Sequence, residues 1–165
     1  VLRLQVWATA PGRKIKYSKQ TMNLKSYLEI NVSDDDIDMI FDIKGSNTVF
    51  SGEMWGYGDR KALEHFTDSL TDFPQNNTIP FFEFGHKDST LSYFSMKLYP
   101  ASSLSQIGIQ IIMATDATFR PETQCKIQFE IIAEPHAVDE FQKALRQIVR
   151  KKSVVAILYG NDNRL

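Results

Sequence analysis

The sequence is poor in the residues that form crosslinks or hold metals. It has 165 residues but a single cysteine, Cys125, which excludes an intrachain disulfide. A lone thiol is more typical of a reducing compartment than of secretion, and this predicts a cytoplasmic protein. The three histidines, His65, His86 and His136, have no partner at metal-ligand spacing, and Cys-x-x-Cys and His-Glu-x-x-His motifs are missing. We therefore expect no metal and no cofactor.

An excess of charge of one sign is also missing. The chain carries 19 basic and 20 acidic side chains, for a net charge of −1. Nucleic-acid binding depends on a basic face, so we expect no nucleic-acid partner. The one basic run, 146–152, ends a predicted helix, where positive side chains complement the helix dipole. The longest strongly apolar stretch, 107–115, is far below the roughly 18 residues of a membrane-spanning helix, so we expect no membrane partner.

The chain does contain enough apolar material for a core. Apolar residues make up 42% of the sequence, with eleven Phe, six Tyr and two Trp. An unfolded chain of this composition would expose too much apolar surface to water. The length suits one unit with one core, so we predict a single domain over residues 1–165.

Alternation of apolar and polar residues predicts strands joined by short, hairpin-like connections. The predicted strands span 2–8, 27–32, 37–43, 48–55, 79–84, 91–99, 106–115, 125–133 and 154–159. The predicted fold class is therefore α+β. We expect a mostly antiparallel twisted sheet of about seven to nine strands, with two amphipathic helices packed on it.

The first helix is predicted from a change of period after residue 58. Asp59 is a suitable N-cap, and Pro74 marks the expected end of the helix. We interpret Gly56 and Gly58 as allowing a tight turn before the cap. The apolar positions fall three or four residues apart, on one helical stripe: Leu63, Phe66, Leu70 and Phe73.

The second helix is predicted to begin at Glu134-Pro135, because proline is suited to the first helical position. Its apolar stripe comprises Val138, Phe141, Leu145, Ile148 and Val149. The spacing of Phe141 and Leu145 repeats that of Phe66 and Leu70 in the first helix. This echo has two explanations, namely duplicated supersecondary units and independent convergence on an amphipathic pattern.

Motifs for catalysis are weak throughout. Cys125 has no base or helix N-terminus beside it in sequence, so we predict a buried or half-buried structural cysteine. The histidines are interpreted as surface or turn residues. The glycines of 52–58 lack the order of a phosphate-binding loop. We predict no catalytic residue.

Acidic residues form the one candidate partner surface. Asp34, Asp35, Asp36 and Asp38 cluster at a predicted turn between two strands. A calcium loop would need a glycine and a terminal glutamate at fixed positions, and these are missing. The cluster is either a solvated turn or a contact surface for a basic protein partner, since complementary charge speeds association.

Five short segments between residues 37 and 145 have a characteristic order: Phe50-Ser51-Gly52-Glu53, Leu63-x-x-Phe66-x-x-x-Leu70, Phe129-Glu130-Ile131, Glu134-Pro135 and Phe141-x-x-x-Leu145. In these segments the chain resembles the small immunity proteins of bacterial polymorphic toxins, including the WapI-like immunity families. The chain departs from those families at 106–109, where it reads Gln-Ile-Gly-Ile instead of a Gly-His-Ile-like start. Such proteins bind through variable surfaces, so the resemblance assigns no functional residue.

We therefore expect a non-catalytic binding protein, namely a bacterial immunity protein that neutralises a cognate toxin by direct binding. The alternative is a small-molecule-binding domain with an apolar pocket lined by Phe81, Phe82, Phe94 or Phe129. A homodimer formed through an exposed edge strand is compatible with both hypotheses.

Overall fold

The computed structural model describes residues 25–34, 39–102, 105–151 and 153–161. The elements in chain order are β1 (Tyr27–Asp34), β2 (Met39–Ser46), β3 (Ser51–Gly58), α1 (Arg60–Ser69), β4 (Phe81–Gly85), β5 (Tyr93–Pro100), β6 (Ile107–Ala114), β7 (Lys126–Ala133), α2 (Pro135–Val149) and β8 (Ala156–Tyr159). The α+β class, the antiparallel pairing and the expected strand count are confirmed. The predicted strand at 2–8 lies outside the described residues.

The eight strands divide into two four-stranded sheets. Sheet A has the order β3-β2-β1-β8, and sheet B has the order β4-β5-β6-β7. All neighbouring strands are antiparallel. Alternation in the sequence predicts which face of a strand is buried, but it carries no information on which strands are neighbours. The division into two sheets could therefore not be predicted from the pattern.

The topology repeats once along the chain. Three meandering strands, a helix and a fourth strand form a first unit, β1 to β4, and then a second unit, β5 to β8. The fourth strand of each unit pairs with the first strand of the other, because β4 pairs with β5 and β8 pairs with β1. The two helices with the repeated Phe and Leu spacing occupy equivalent places. Duplication of one supersecondary unit would produce this arrangement.

A cluster of phenylalanine rings joins the two sheets and α1. The ring of Phe82 on β4 is 2% exposed. Its centroid lies 5.6 Å from that of Phe41 on β2 and 5.6 Å from that of Phe66 on α1. Phe84 and Phe94, from β4 and β5, are 6.1 Å and 6.3 Å from it. These separations are typical of favourable aromatic pairs, so the rings bind sheet A, sheet B and α1 into one core.

The glycines before α1 have a different role from the predicted one. Gly56 and Gly58 lie within β3, and neither has a positive φ. A Cβ at Gly56 would meet the ring of Phe84 at 2.7 Å, and one at Gly58 would meet the ring of Phe41 at 2.7 Å. The tight-turn interpretation was therefore wrong. The glycines are needed because aromatic rings of the core lie directly against the backbone of β3.

Both helices begin where the sequence predicts. Asp59 caps α1, since its Oδ1 accepts a hydrogen bond from the Ala62 N–H at 2.8 Å. The second helix begins at Pro135 as predicted, and its stripe from Val138 to Ile148 is buried. The first helix, however, ends at Ser69, before the predicted stop. The chain then turns, with Asp72 at a φ of 57°, although the two remaining stripe residues are still buried.

We predict that Phe82→Ala lowers the free energy of unfolding by about 3–5 kcal/mol, because it removes a buried ring and leaves a cavity between the sheets. Urea denaturation monitored by circular dichroism measures this change. Phe119→Ala is the matched control, since the Phe119 ring is 99% exposed and its loss should cost less than about 0.5 kcal/mol. Equal effects of the two substitutions would contradict the central place of Phe82.

Candidate functional site

The acidic turn predicted as a partner surface is described only at its margin. Asp34 is the last residue of β1, where it pairs with Met39, the first residue of β2. Asp35, Asp36 and Asp38 lie outside the described residues. The proposed role of this cluster therefore stays a prediction.

The phenylalanines proposed to line an apolar pocket are divided between two faces of sheet B. Phe82, Phe94 and Phe129 are buried in the core, where they contact other apolar side chains. Phe81 points to the opposite side of β4 and is half exposed. Phe81 and Phe82 both border a groove of about 430 Å³ between β4 and α1.

Cys125 is exposed, so its prediction as a buried or half-buried residue was wrong. It comes directly before β7, where its backbone N–H donates to the hydroxyl of Thr115 at 3.0 Å. The backbone N–H of Thr115 donates to the Cys125 carbonyl at 3.0 Å. The position is thus held by its backbone.

Among the described residues, no three His, Cys, Asp or Glu side chains come close enough to hold a metal. In the same part of the chain, neither helix is long and apolar enough to cross a bilayer.

A polar group of side chains lies at one end of sheet B. The hydroxyl of Tyr93 donates to Glu83 Oε2 at 2.7 Å, and burial raises the pKa of Tyr93. The phenol is consequently a hydrogen-bond donor at neutral pH and not a base. Lys126 and Asp88 are paired nearby at 4.0 Å, beside a concavity of about 490 Å³ that His86 also lines. The hydrogen bond from Tyr93 to Glu83 links β5 to β4 at this end of the sheet.

Two exposed aromatic side chains lie on the outer face of β3. Trp55 is 55% exposed and Tyr57 is 52% exposed. Their rings pack edge to face, with centroids 5.8 Å apart and an interplanar angle of 80°. Successive residues of a strand face opposite sides of the sheet. Met54 and Gly56 are on the buried side of β3, so Trp55 and Tyr57 are on the outer side. We call this part of sheet A the aromatic face.

A concave site adjoins the aromatic face and is referred to here as the edge pocket. It has a volume of about 410 Å³ and lies where β2 and β3 approach the start of the β6–β7 loop. Strand pairing places Asp42 directly opposite Trp55, and Lys44 directly opposite Glu53. The side chains that matter for its chemistry are Asp42, Lys44, Glu53, Trp55, Thr115 and Asp116.

The loop side of the edge pocket is held by hydrogen bonds. Asp116 Oδ1 accepts from the backbone N–H of Thr118 at 2.9 Å and from its hydroxyl at 2.8 Å. These bonds, the backbone one above all, hold the pKa of Asp116 below its ordinary value, because they favour the charged carboxylate. The N–H of Ala117 donates to the carbonyl of Thr90 at 2.7 Å and ties the loop to its neighbour. The carboxylate is thus charged and positioned at neutral pH.

Sequence reasoning missed this site for a definable reason. The predicted strand 48–55 stopped at Trp55, because Gly56 and Gly58 were interpreted as a turn. The alternation of Glu53, Trp55 and Tyr57 was the available signal, since it extends the strand through both glycines. The approach of Asp116 to β3 had no signal in the sequence.

No protein-family model and no curated protein matches the chain. The resemblance to immunity families therefore stays a prediction.

We predict that Thr118→Val raises the pKa of Asp116 part of the way to its ordinary value, because the hydroxyl donor is lost while the backbone N–H remains. Carbon-detected NMR titration of the carboxyl group measures this. The pKa of Asp116 is lower in the folded chain than in the unfolded chain. Its charged form therefore stabilises the fold above the unfolded pKa, and this stabilisation is lost as the pH falls through the folded pKa. In Thr118→Val the free energy of unfolding should fall less over that pH range.

The control for this titration is Thr78→Val. The Thr78 hydroxyl donates an equivalent local hydrogen bond to Asn76 Oδ1 at 2.8 Å. Its loss therefore removes a similar contact that is far from Asp116 in the sequence. The pKa of Asp116 should not respond to it. An unchanged pKa in Thr118→Val would contradict the hydrogen bond on which the positioning of Asp116 depends.

Proposed function

We propose that the protein is a non-catalytic binding protein whose protein partner docks on the aromatic face. The observation that carries the proposal is the pair formed by Trp55 and Tyr57, each more than half exposed and in edge-to-face contact. Tryptophan and tyrosine are enriched among the residues that dominate binding energy at protein interfaces. An isolated exposed aromatic is ordinary, but two that pack on each other beside a concavity are typical of a binding surface.

The rigidity of β3 supports the same function. The strand is hydrogen-bonded to β2 along its whole length. Its inward residues contact the core, with the ring of Phe84 directly against Gly56. Binding of a partner here would therefore lose little backbone conformational entropy, and preorganisation of this kind raises affinity.

The biological role that we propose is immunity to a toxin. The protein would bind a cognate toxin in the bacterial cytoplasm and occlude its active site. The sequence resemblance supports this role. The mechanism requires only a tight interface, which the aromatic face can supply.

We predict that the double variant Trp55→Ala/Tyr57→Ala loses partner binding by at least about 30-fold, because one such residue alone is worth about 2 kcal/mol at the centre of an interface and the effects of two residues in contact are not additive. The partner to be used is any toxin domain encoded beside the gene, and the measurement is isothermal titration calorimetry. The stability of the variant should change by less than about 1 kcal/mol, since both rings are exposed.

Tyr159→Ala is the matched control for this measurement. Tyr159 is 54% exposed on β8, at the opposite edge of the same sheet. The Tyr159→Ala variant should bind the toxin domain as the unmodified protein does. Equal losses of affinity in the control and the double variant would contradict docking on the aromatic face. The immunity role has a separate test, and it would be contradicted if co-expression of the protein failed to rescue the growth of toxin-producing cells.

A further inference from the structure

We propose that the edge pocket binds an arginine side chain of the protein partner, with the guanidinium group against Trp55 and hydrogen-bonded to the surrounding carboxylates. The inference rests on the proposed function, in that a protein partner supplies the arginine. It adds the chemistry by which that partner is recognised.

The charges of the edge pocket favour a cation. Three carboxylates, those of Asp42, Glu53 and Asp116, line it together with one ammonium group, that of Lys44. The Lys44 Nζ also lies 4.0 Å from Glu29 Oε1, on the side of β2 away from the edge pocket. The local charge is therefore negative in a chain whose overall charge is close to zero.

The indole ring of Trp55 distinguishes this site from a simple group of acids. Residues directly opposite on antiparallel strands have Cβ atoms about 4.5–5.5 Å apart, so the carboxylate of Asp42 adjoins the indole. A cation placed over the ring gains from the negative face of the π system, and tryptophan is the best aromatic partner for this contact. The same cation can then donate a hydrogen bond to the carboxylate beside it.

The shape of the donor set favours guanidinium over ammonium. A guanidinium group is planar, stacks on aromatic rings and presents five N–H donors in a fixed arrangement. Carboxylates approach the edge pocket from two sides, from sheet A and from the β6–β7 loop. The bonds from Thr118 are both made to Asp116 Oδ1, which leaves Oδ2 as the oxygen that can accept from a ligand. A volume of about 410 Å³ accommodates one long side chain.

The test uses Nα-acetyl-arginine amide as the probe and the whole chain without a partner. The chain has two tryptophans, Trp7 and Trp55, so the Trp7→Phe background leaves one indole N–H signal in a ¹H–¹⁵N spectrum. We expect saturable shifts of that signal and of the Asp116 amide, with a dissociation constant of about 1–10 mM, the range of a small fragment. Nα-acetyl-citrulline amide, which is neutral and nearly isosteric, should bind about tenfold more weakly.

Variants then locate the binding. Asp42→Asn should weaken binding of the arginine probe about fivefold, an effect of one lost charge-assisted hydrogen bond at an exposed site. Glu64→Gln removes an exposed carboxylate from α1, away from the edge pocket, and should leave the affinity unchanged. Equal binding of the arginine and citrulline probes, or equal weakening in the two variants, would overturn the inference. So would equal binding of Nα-acetyl-lysine amide, which would remove the preference for guanidinium.

The outcomes separate this inference from the proposed function. If the probe fails while the toxin domain still binds through Trp55 and Tyr57, the arginine site is wrong and the docking surface stands. If the probe binds but the toxin domain binds equally well without the aromatic pair, the docking surface is wrong. The preference of the edge pocket for guanidinium then stands, and its assignment to an arginine of the partner falls with the docking surface.

Discussion

The contact on which the structure depends is the meeting of phenylalanine rings around Phe82. Each sheet and each helix has one apolar face that must be buried, and two sheets can share a core only where their inner faces meet. The ring of Phe82 touches those of Phe41 in sheet A and Phe66 in α1, at 5.6 Å in both cases. The rest of the core extends outward from this point as one continuous cluster of buried side chains.

The same core positions the aromatic face, the proposed binding surface. Gly56 lies at an inward position of β3, and the ring of Phe84 occupies the space that a side chain would need there. Strand alternation then directs Trp55 and Tyr57 to the outside, where they cannot contribute to the core. The exposed aromatic pair is thus a consequence of how tightly β3 is packed, and its rigidity comes from residues on the other side of the strand.

Much of the fold could be predicted because buried apolar residues recur in the sequence with the period of the helix or strand that carries them. The stripes from Leu63 to Leu70 and from Val138 to Ile148 are buried as their spacing indicates. Features that depend on contacts between distant segments could not be predicted, since they leave no local period. The division into two sheets and the approach of Asp116 to β3 belong to this class. Tyr57 was missed for a different reason, because a glycine in a strand resembles a turn signal.

Hydrogen–deuterium exchange followed by mass spectrometry, on the chain alone and bound to the proposed toxin partner, tests the central claim most directly. The account predicts that binding slows exchange in β3, Ser51–Gly58, and at Thr115 and Asp116 beside the edge pocket. Protection confined to α2 or to the strands of sheet B, with β3 unchanged, would contradict it. That result would mean that the partner is recognised by a surface other than the aromatic face.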